Sequence, residues 1–586
     1  MHTIPPNPTK TMPPKPQPGV FHPAQRKLEA PLPYAPPVME IKLFGKYRRV
    51  RDLLVPTFVV VVVGGIVTIL VARWLYQQPA VQAFMAAYPG VPRNSAVQPG
   101  YSLLVRITHL LVFFYLLFLV RSGINILLDH PRLYSTTHCT PGTEWIRWRG
   151  DVPRNTLWTA KDDSVTVPYW LGLPGGRHTL GISRHWHFLF DILFVLTGAA
   201  FIILQVALGE WQRLVPTNWA IFPEAVTCIF QYASLHDPSR IYGINGYIHY
   251  DALQQLTYCA IVYIVAPLQI LTGIAMSPAF DNQHKWYPRL FGNRQIARSL
   301  HFLLMCVFIC FYAVHMVMVA YTGLLVNLNG ITIDTNDAGF VGFWLTALAM
   351  LCSIALAVWA TNFSWKHPAV LQKISALTVN PLMDLLFDRN VRAQYRSSDL
   401  SPYFWLNGKK PTSEEWLKLK ANHWKDYRLI VDGLVENPVE LSLEDLKAMG
   451  KSQQITMQTC IQGWSGIAQW GGLRFSKLIE LVKPIQEAHY AFFYSYGEGL
   501  EGGQYYDSHT LSDLKHDLSL LAYEMNGQPL PEDHGAPLRL RVENQLGFKQ
   551  VKWIRRIEFV RHYRDRAEGQ GGYNEDHEFF GYRAEI

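Results

Sequence analysis

The chain has 586 residues, too many for one hydrophobic core, so two or more domains are expected. Apolar residues make up 49% and charged residues only 17%, below the roughly 25% charged usage of soluble domains. The net charge of +8 comes from Lys and Arg residues gathered beside apolar runs, a pattern of membrane-span flanks that argues against a nucleic-acid partner.

Residues 1–40 are rich in proline (Pro5, Pro6, Pro13, Pro14, Pro16, Pro18, Pro36, Pro37) and read as a disordered tail without a signal-peptide layout. Six apolar runs follow, near 54–76, 102–124, 187–208, 252–276, 299–325 and 342–361. Each is long enough to cross about 30 Å of hydrocarbon as a helix. Buried helices of a large soluble protein are the alternative, but six such lengths in one chain weigh against it. The stretch Leu214–His236 carries Pro216, Pro223 and Glu224 and predicts an interfacial helix rather than a crossing.

These runs divide the chain into a tail (1–40), a first span with connector (41–100), a membrane domain (101–361), a connector (362–400) and a soluble domain (401–586). In the soluble part, strand-like stretches at Tyr427–Val431, Gln454–Met457, Ala491–Tyr496, Leu538–Val542 and Ile557–Val560 alternate with helical segments at Leu443–Met449, Phe475–Val482 and Leu511–Leu514. The fold class is therefore an all-α membrane bundle followed by an α+β domain.

One set of loops carries 17 Lys and Arg residues, in Lys42–Arg51, Arg121–Arg184 and Lys285–Arg298. The other carries Arg73, Arg93, Arg213 and Arg240. The positive-inside rule puts the first set in the cytoplasm, and six crossings return the C-terminus to the same side.

Ionisable side chains within spans are costly, so His109, His187, His301 and His315 are functional candidates. His301 and His315 lie 14 residues apart, about 21 Å along a helix and within about 40° of whole turns, so both leave one face. Matching depths pairs His187 with His301 near the inner side and His109 with His315 near the outer side. A bis-imidazole pair at each of two depths is what two stacked haems require. His185 competes with His187, and His249 reads as a quinone-site or surface residue. Gly123, Gly198, Gly273 and Gly323 would let flat macrocycles approach helix backbones.

These segments resemble the b-type cytochrome subunits of formate dehydrogenases and nickel-iron hydrogenases over about residues 100–330. The 14-residue histidine spacing followed by Tyr321–Thr322–Gly323 carries the likeness, and Arg184 supports His187. The first and sixth spans and the loop 125–183 lie outside it. The resemblance implies two haems b and exchange of electrons with quinone.

Cys139 and Cys228 have no motif around them, and Cys259, Cys306, Cys310 and Cys352 lie in apolar runs. Cys460 is the one cysteine of the soluble domain, in MQTCIQGWSGIAQWGGLRF after a strand-like stretch. By itself it reads as an inert buried thiol, a nucleophile or a ligand to a soft metal. A single thiolate does not suit zinc, which wants three or four protein ligands.

The strings DYRLIVDGLVENPVELSLEDLKAM, LLAYEMNGQPLPEDHGAPLRLRV, GFKQVKWIRRIEF and GYNEDHEFFGYR, with the Cys460 segment, resemble the sulfite oxidase fold. The small members of that fold that this region is similar to are the bacterial molybdenum-type methionine sulfoxide reductases. The resemblance covers about 400–586 and implies a molybdenum–molybdopterin cofactor with Cys460 as its thiolate ligand. It further implies Asn407, Thr459, Arg539 and Lys549 as cofactor contacts. His534 stands where those reductases have Asn, and Gln550 where they have Ser.

The expected function is a membrane-bound molybdenum oxidoreductase that passes electrons between quinone and molybdenum through two haems, reducing an S- or N-oxide. Sulfite-type oxidation feeding quinone is the alternative chemistry, and a haem-based membrane sensor or assembly scaffold the alternative class. The expected partners are quinone or quinol, a small oxygen-atom donor or acceptor, and membrane lipid, with a homodimer left open. The expected location is a bacterial inner membrane.

Overall fold

The computed structural model describes residues 2–3, 37–90, 100–153, 156–237, 250–386, 395–582 and 584. Most of the proline-rich tail lies outside these residues, as do Arg93, Arg240 and His249.

Among the described residues, six helices are long and apolar enough to cross a membrane. They are α1 (Val50–Tyr76), α2 (Leu103–Asp129), α3 (Leu180–Ala207), α4 (Ala252–Ala275), α5 (Arg294–Ile333) and α6 (Val341–Lys366). All six predicted runs are present. The predicted interfacial segment forms a helix at Ile221–Ala233 that packs on α4 through Ala225, Cys228 and Ala252.

Local chemistry shapes the spans. α4 holds a π-helical turn at Ile261–Val265 just before Pro267, which lacks the N–H needed to continue the regular ladder. α5 has 40 residues, about 60 Å of helix and twice the hydrocarbon thickness. It is interrupted at Gly323, whose φ of 132° favours glycine. The Asn327 amide repairs the break by donating to the Val319 carbonyl at 3.0 Å and to Thr322 Oγ1 at 2.8 Å. The predicted connector 362–400 holds a further helix, α7 (Pro368–Leu386), because Pro368 ends the preceding span and is well placed to open a new helix.

The loop between α2 and α3 is itself folded. β1 (Glu40–Leu43) and β2 (Lys46–Arg49) join β3 (Arg132–Leu133) and β4 (Ile146–Arg147) in a four-stranded sheet ordered β2-β1-β4-β3. This sheet ties the segment before α1 to the α2–α3 loop, at one end of the bundle. Arg132 is fully buried and bonds Asp163 at 2.7 and 2.8 Å and Glu144 at 2.6 Å. A buried guanidinium satisfied by two carboxylates pins the loop, since removing either partner would strand a charge.

The soluble domain is α+β. β5 (Leu429–Gly433), β6 (Val439–Leu441), β7 (Ser452–Thr459), β8 (Ser465–Arg474), β9 (Tyr490–Glu498), β10 (Gln504–Thr510), β11 (Leu520–Met525), β12 (Gln528–Pro529), β13 (Arg539–Arg541) and β14 (Ile554–Val560) form two sheets. One orders β6-β5-β14-β9-β10, with the short strand His2–Thr3 added beyond β6. The other orders β12-β11-β8-β7, with β13 paired to β11. Their shared core includes Leu429, Val431, Leu473, Phe493, Leu521, Leu540 and Ile557, all with zero exposure. The domain packs against the bundle end that carries the α2–α3 loop.

Candidate functional site

Two of the membrane histidines come together toward the end of the bundle away from the α2–α3 loop. His109 on α2 and His315 on α5 have ring centroids 6.4 Å apart. Two imidazole–metal bonds of about 2 Å each, plus the ring radii, span such a gap. Tyr258 of α4 lies 3.1 Å from His315 Nδ1.

Nearer the α2–α3 loop, His187 and His301 are each held by a polar neighbour at Nδ1. Ser122 Oγ lies 2.9 Å from His187 Nδ1, and the Gln269 carbonyl lies 3.1 Å from His301 Nδ1. An imidazole fixed through one nitrogen presents the other to a metal. His301 Nε2 contacts the Gln269 side-chain amide at 3.0 Å, and His187 Nε2 lies 3.8 Å from Asp191. The glycines sort by depth as well. A Cβ at Gly123 would come 3.4 Å from His187, and one at Gly273 would come 3.3 Å from His301, whereas Gly198 faces open space. His185 is engaged elsewhere: its Nε2 bonds the Phe579 carbonyl of the soluble domain at 2.7 Å. The four histidines are therefore available as imidazole ligands for haem, and His187 is the better placed of the close pair.

Cys460 follows the end of β7 in a tight turn. Its N–H donates to the Trp464 carbonyl at 2.9 Å and its carbonyl accepts from Gly463 N–H at 3.0 Å. The residue is 1% exposed, and burial pushes its thiol up to about 12. Such a cysteine stays protonated at neutral pH unless a bound cation replaces the proton. It packs with Tyr134, Cys139, Leu180, Trp405, Trp464, Phe548 and Phe580, so the membrane segment supplies part of its surroundings.

The predicted cofactor contacts differ in their settings. Thr459 is fully buried and its Oγ1 has no partner. Arg539 is 2% exposed and lies 4.6 Å from the Trp470 ring centroid. It donates to the His534 carbonyl at 2.9 Å and to Gln458 Oε1 at 3.3 Å, while its Nε is unpartnered. Among the described residues no carboxylate bonds it, because Glu543 is taken by Arg541. Burial and Arg541 hold the Arg539 guanidinium well below its usual range, and burial with Arg539 does the same to Lys552. His534 is pushed down to about 3 by burial and by these two cations, so it is neutral. Uncompensated buried cations beside orphaned donors suit an anionic, hydrogen-bonding group such as a pterin phosphate.

Lys549 and Asn407 are placed differently. The Lys549 ammonium pairs with Asp507 and with Glu575, the latter at 2.6 Å, so it is already satisfied. Asn407 accepts from the Gly408 N–H at 3.0 Å and is partly exposed. The neighbours Phe404 and Trp405 go deeper: Phe404 meets Trp464, Trp470 and His534 edge-on, and Trp405 donates to the Cys139 carbonyl at 2.7 Å. Sequence reasoning passed over both, though the aromatic run in YFWLNG was the available signal. A cavity of about 1100 Å³ opens beside Ile461 between α3, α7 and the domain. That is ample for a cofactor or substrate.

Residues 100–332 match the family described as prokaryotic cytochrome b561, and residues 416–567 match the oxidoreductase molybdopterin binding domain. The putative protein-methionine-sulfoxide reductase subunit YedZ1 of Azospira oryzae is 32% identical over 26% of this chain and 53% of its own. The protein-methionine-sulfoxide reductase catalytic subunits MsrP of Campylobacter jejuni and Xanthomonas campestris are 30% and 32% identical. They cover 23% and 24% of this chain and 50% and 46% of their own. The chain thus spans about half the length of these curated relatives. A solved sulfane dehydrogenase SoxCD from Paracoccus pantotrophus is 23% identical over 25% of this chain and 42% of its own, with a TM-score of 0.22. The chain is a fusion of a cytochrome b561-type membrane segment with a molybdopterin-binding oxidoreductase domain of the sulfite oxidase type.

Proposed function

We propose that this protein takes electrons from quinol in the membrane and uses them to reduce a small S- or N-oxide. In balanced form, one quinol and one sulfoxide give one quinone, the corresponding sulfide and one water. One observation carries the reading: the Cys460 turn is bonded directly to the helix that holds His301. Arg294 and Gln295 of α5 donate to the Gly463 carbonyl at 3.1 and 2.9 Å. His301 follows six residues after Gln295, about 9 Å along the helix.

In this reading His109 with His315 and His187 with His301 hold two haems b, which supply one-electron relay across the bundle. Cys460 holds molybdenum, which supplies two-electron oxygen-atom transfer when bound. Arg539 and Thr459 bind the pterin, while Trp464, Trp405 and Phe548 exclude bulk water. The names of the relatives favour a sulfoxide as the substrate, and the basic loops favour the cytoplasm as the side of the soluble domain.

The test is the purified full-length chain. Two haems and one molybdenum per chain are expected, and dithionite-reduced haem should reoxidise on addition of free methionine sulfoxide. His301→Ala should lose one haem of the two. One haem or none in the unsubstituted protein, or reduced haem indifferent to every oxide tried, would overturn the reading.

A further inference from the structure

The loop between α2 and α3 lies against the Cys460 cluster, and two of its fully buried side chains have polar atoms with nothing to bond. His130 and Tyr134 have zero exposure, and among the described residues neither nitrogen of the His130 ring nor the Tyr134 hydroxyl has a partner. Each buried polar atom left this way carries its full desolvation penalty. Three of them on two adjoining side chains mark a place for a polar ligand rather than a packing accident.

Their position relates them to the thiol. Tyr134 shares an apolar cluster with Cys460, Trp405 and Trp464. The His130 ring stacks on Tyr134 at 5.9 Å and meets Trp405 edge-on at 5.0 Å. Asp129, the residue before His130, accepts from the Gln462 amide at 2.8 Å, and Gln462 Oε1 lies 3.7 Å from Cys460 Sγ. The elements that meet here carry further unpartnered buried atoms: Thr140 Oγ1 in the same loop, Gln295 Oε1 on α5 and Thr459 Oγ1 in the soluble domain.

The loop is also rigid enough to position a ligand. Arg298 of α5 donates to the carbonyls of His130 and Arg132, both at 2.9 Å. The side chain of Arg132 is fixed by Asp163 and Glu144.

We propose that the reaction site is shared, with His130 and Tyr134 of the membrane segment completing the Cys460 pocket as hydrogen-bond donors to the oxygen of the bound oxide. This deepens, and rests on, the oxide-reductase reading above. The soluble domain alone then lacks part of its substrate site, and the cytochrome contributes binding as well as electrons.

The experiment compares Tyr134→Phe and His130→Gln with the unsubstituted full-length chain, using dimethyl sulfoxide as the probe. Haem and molybdenum per chain, the Mo(V) electron paramagnetic resonance signal of partly reduced protein, and kcat and KM are measured for each. Tyr134→Phe removes only the hydroxyl. It should keep both haems, shift the Mo(V) signal and lower kcat/KM at least tenfold. Loss of molybdenum with both haems retained would make these side chains supports of the cofactor and overturn their role at the oxide. An unshifted signal with kcat/KM unchanged in both variants overturns it. Should His130→Gln fail to fold, judged by loss of haem, Tyr134→Phe decides alone. If the unsubstituted chain binds no molybdenum, or reduces no oxide while its variants keep both haems, the functional reading itself fails and this proposal falls with it.

Discussion

Gln462, two residues beyond Cys460, donates its amide to the carboxylate of Asp129, the last residue of the second span, at 2.8 Å. The same amide lies 3.2 Å from the Asp129 carbonyl and 3.4 Å from the Ala160 carbonyl. One buried side chain therefore reads the end of α2 and the α2–α3 loop together. Asp129→Ala would leave that amide short of its carboxyl partner in a dry interface, a cost of about 1–3 kcal/mol. Hydrogen exchange should rise across residues 460–465 and stay unchanged in β5, which lies in the domain's own core. Equal protection of both segments in the variant and the parent would show that the contact does not hold the interface.

Cys460→Ala should abolish oxide-dependent reoxidation of haem while leaving the reduced haem spectrum intact, because the membrane histidines do not depend on the thiol. The parent protein freed of metal offers a second check. With the thiol pushed up to about 12 and the residue 1% exposed, Cys460 should resist iodoacetamide at pH 8 until the domain is unfolded. Rapid alkylation of the folded, metal-free chain would contradict the buried setting described above.

Arg539 is the clearest anion donor, a buried guanidinium with an unpartnered Nε and no carboxylate bonded to it among the described residues. Arg539→Ala should lower pterin and molybdenum content about tenfold, the equivalent of about 1.4 kcal/mol. Arg539→Lys should retain more of both, since it keeps the charge and loses the fork. Lys549→Ala should act differently. Its ammonium is the buried partner of both Asp507 and Glu575, so its removal should lower domain stability before it affects cofactor content. Melting temperature and molybdenum content, measured on the same preparations, separate the two effects.

The spans were legible because run length is a local signal, and Cys460 drew attention for a similar reason, as a lone cysteine inside a motif. The helices at Phe475–Val482 and Leu511–Leu514 were legible for the same reason. β8 was not, because Gly466, Gly471 and Gly472 dilute its alternation. Those glycines answer to tertiary contacts, since a Cβ at Gly472 would collide with the Leu521 carbonyl. The helix Glu414–Ala421 was missed although Ser413 caps it at the Trp416 N–H. The α2–α3 loop was the largest omission. Its strands are two residues long, and its order comes from Arg132 reaching Asp163, 31 residues away. Long-range ion pairs leave no periodicity to read, and for that reason Cys139, His130 and Tyr134 drew no functional reading.

The soluble domain is expected on the cytoplasmic face. The loops at its end of the bundle carry most of the 17 Lys and Arg residues counted above, against Arg73, Arg93, Arg213 and Arg240 on the other set. The first span is the critical element, because without it the number of crossings is odd and the two termini part. Pairing of β1 with β4 joins the segment before α1 to the α2–α3 loop, at the end of the bundle where the domain sits. α1 itself has an 18-residue apolar window with none of its residues buried, as a lipid-facing span requires. Both termini then share a side, and the basic flank Lys42–Arg51 assigns that side to the cytoplasm. C-terminal fusions to alkaline phosphatase and to green fluorescent protein read the result directly. A fluorescent green fusion with an inactive phosphatase is expected. Active phosphatase with a dark fluorescent fusion would reverse the orientation of the whole molecule.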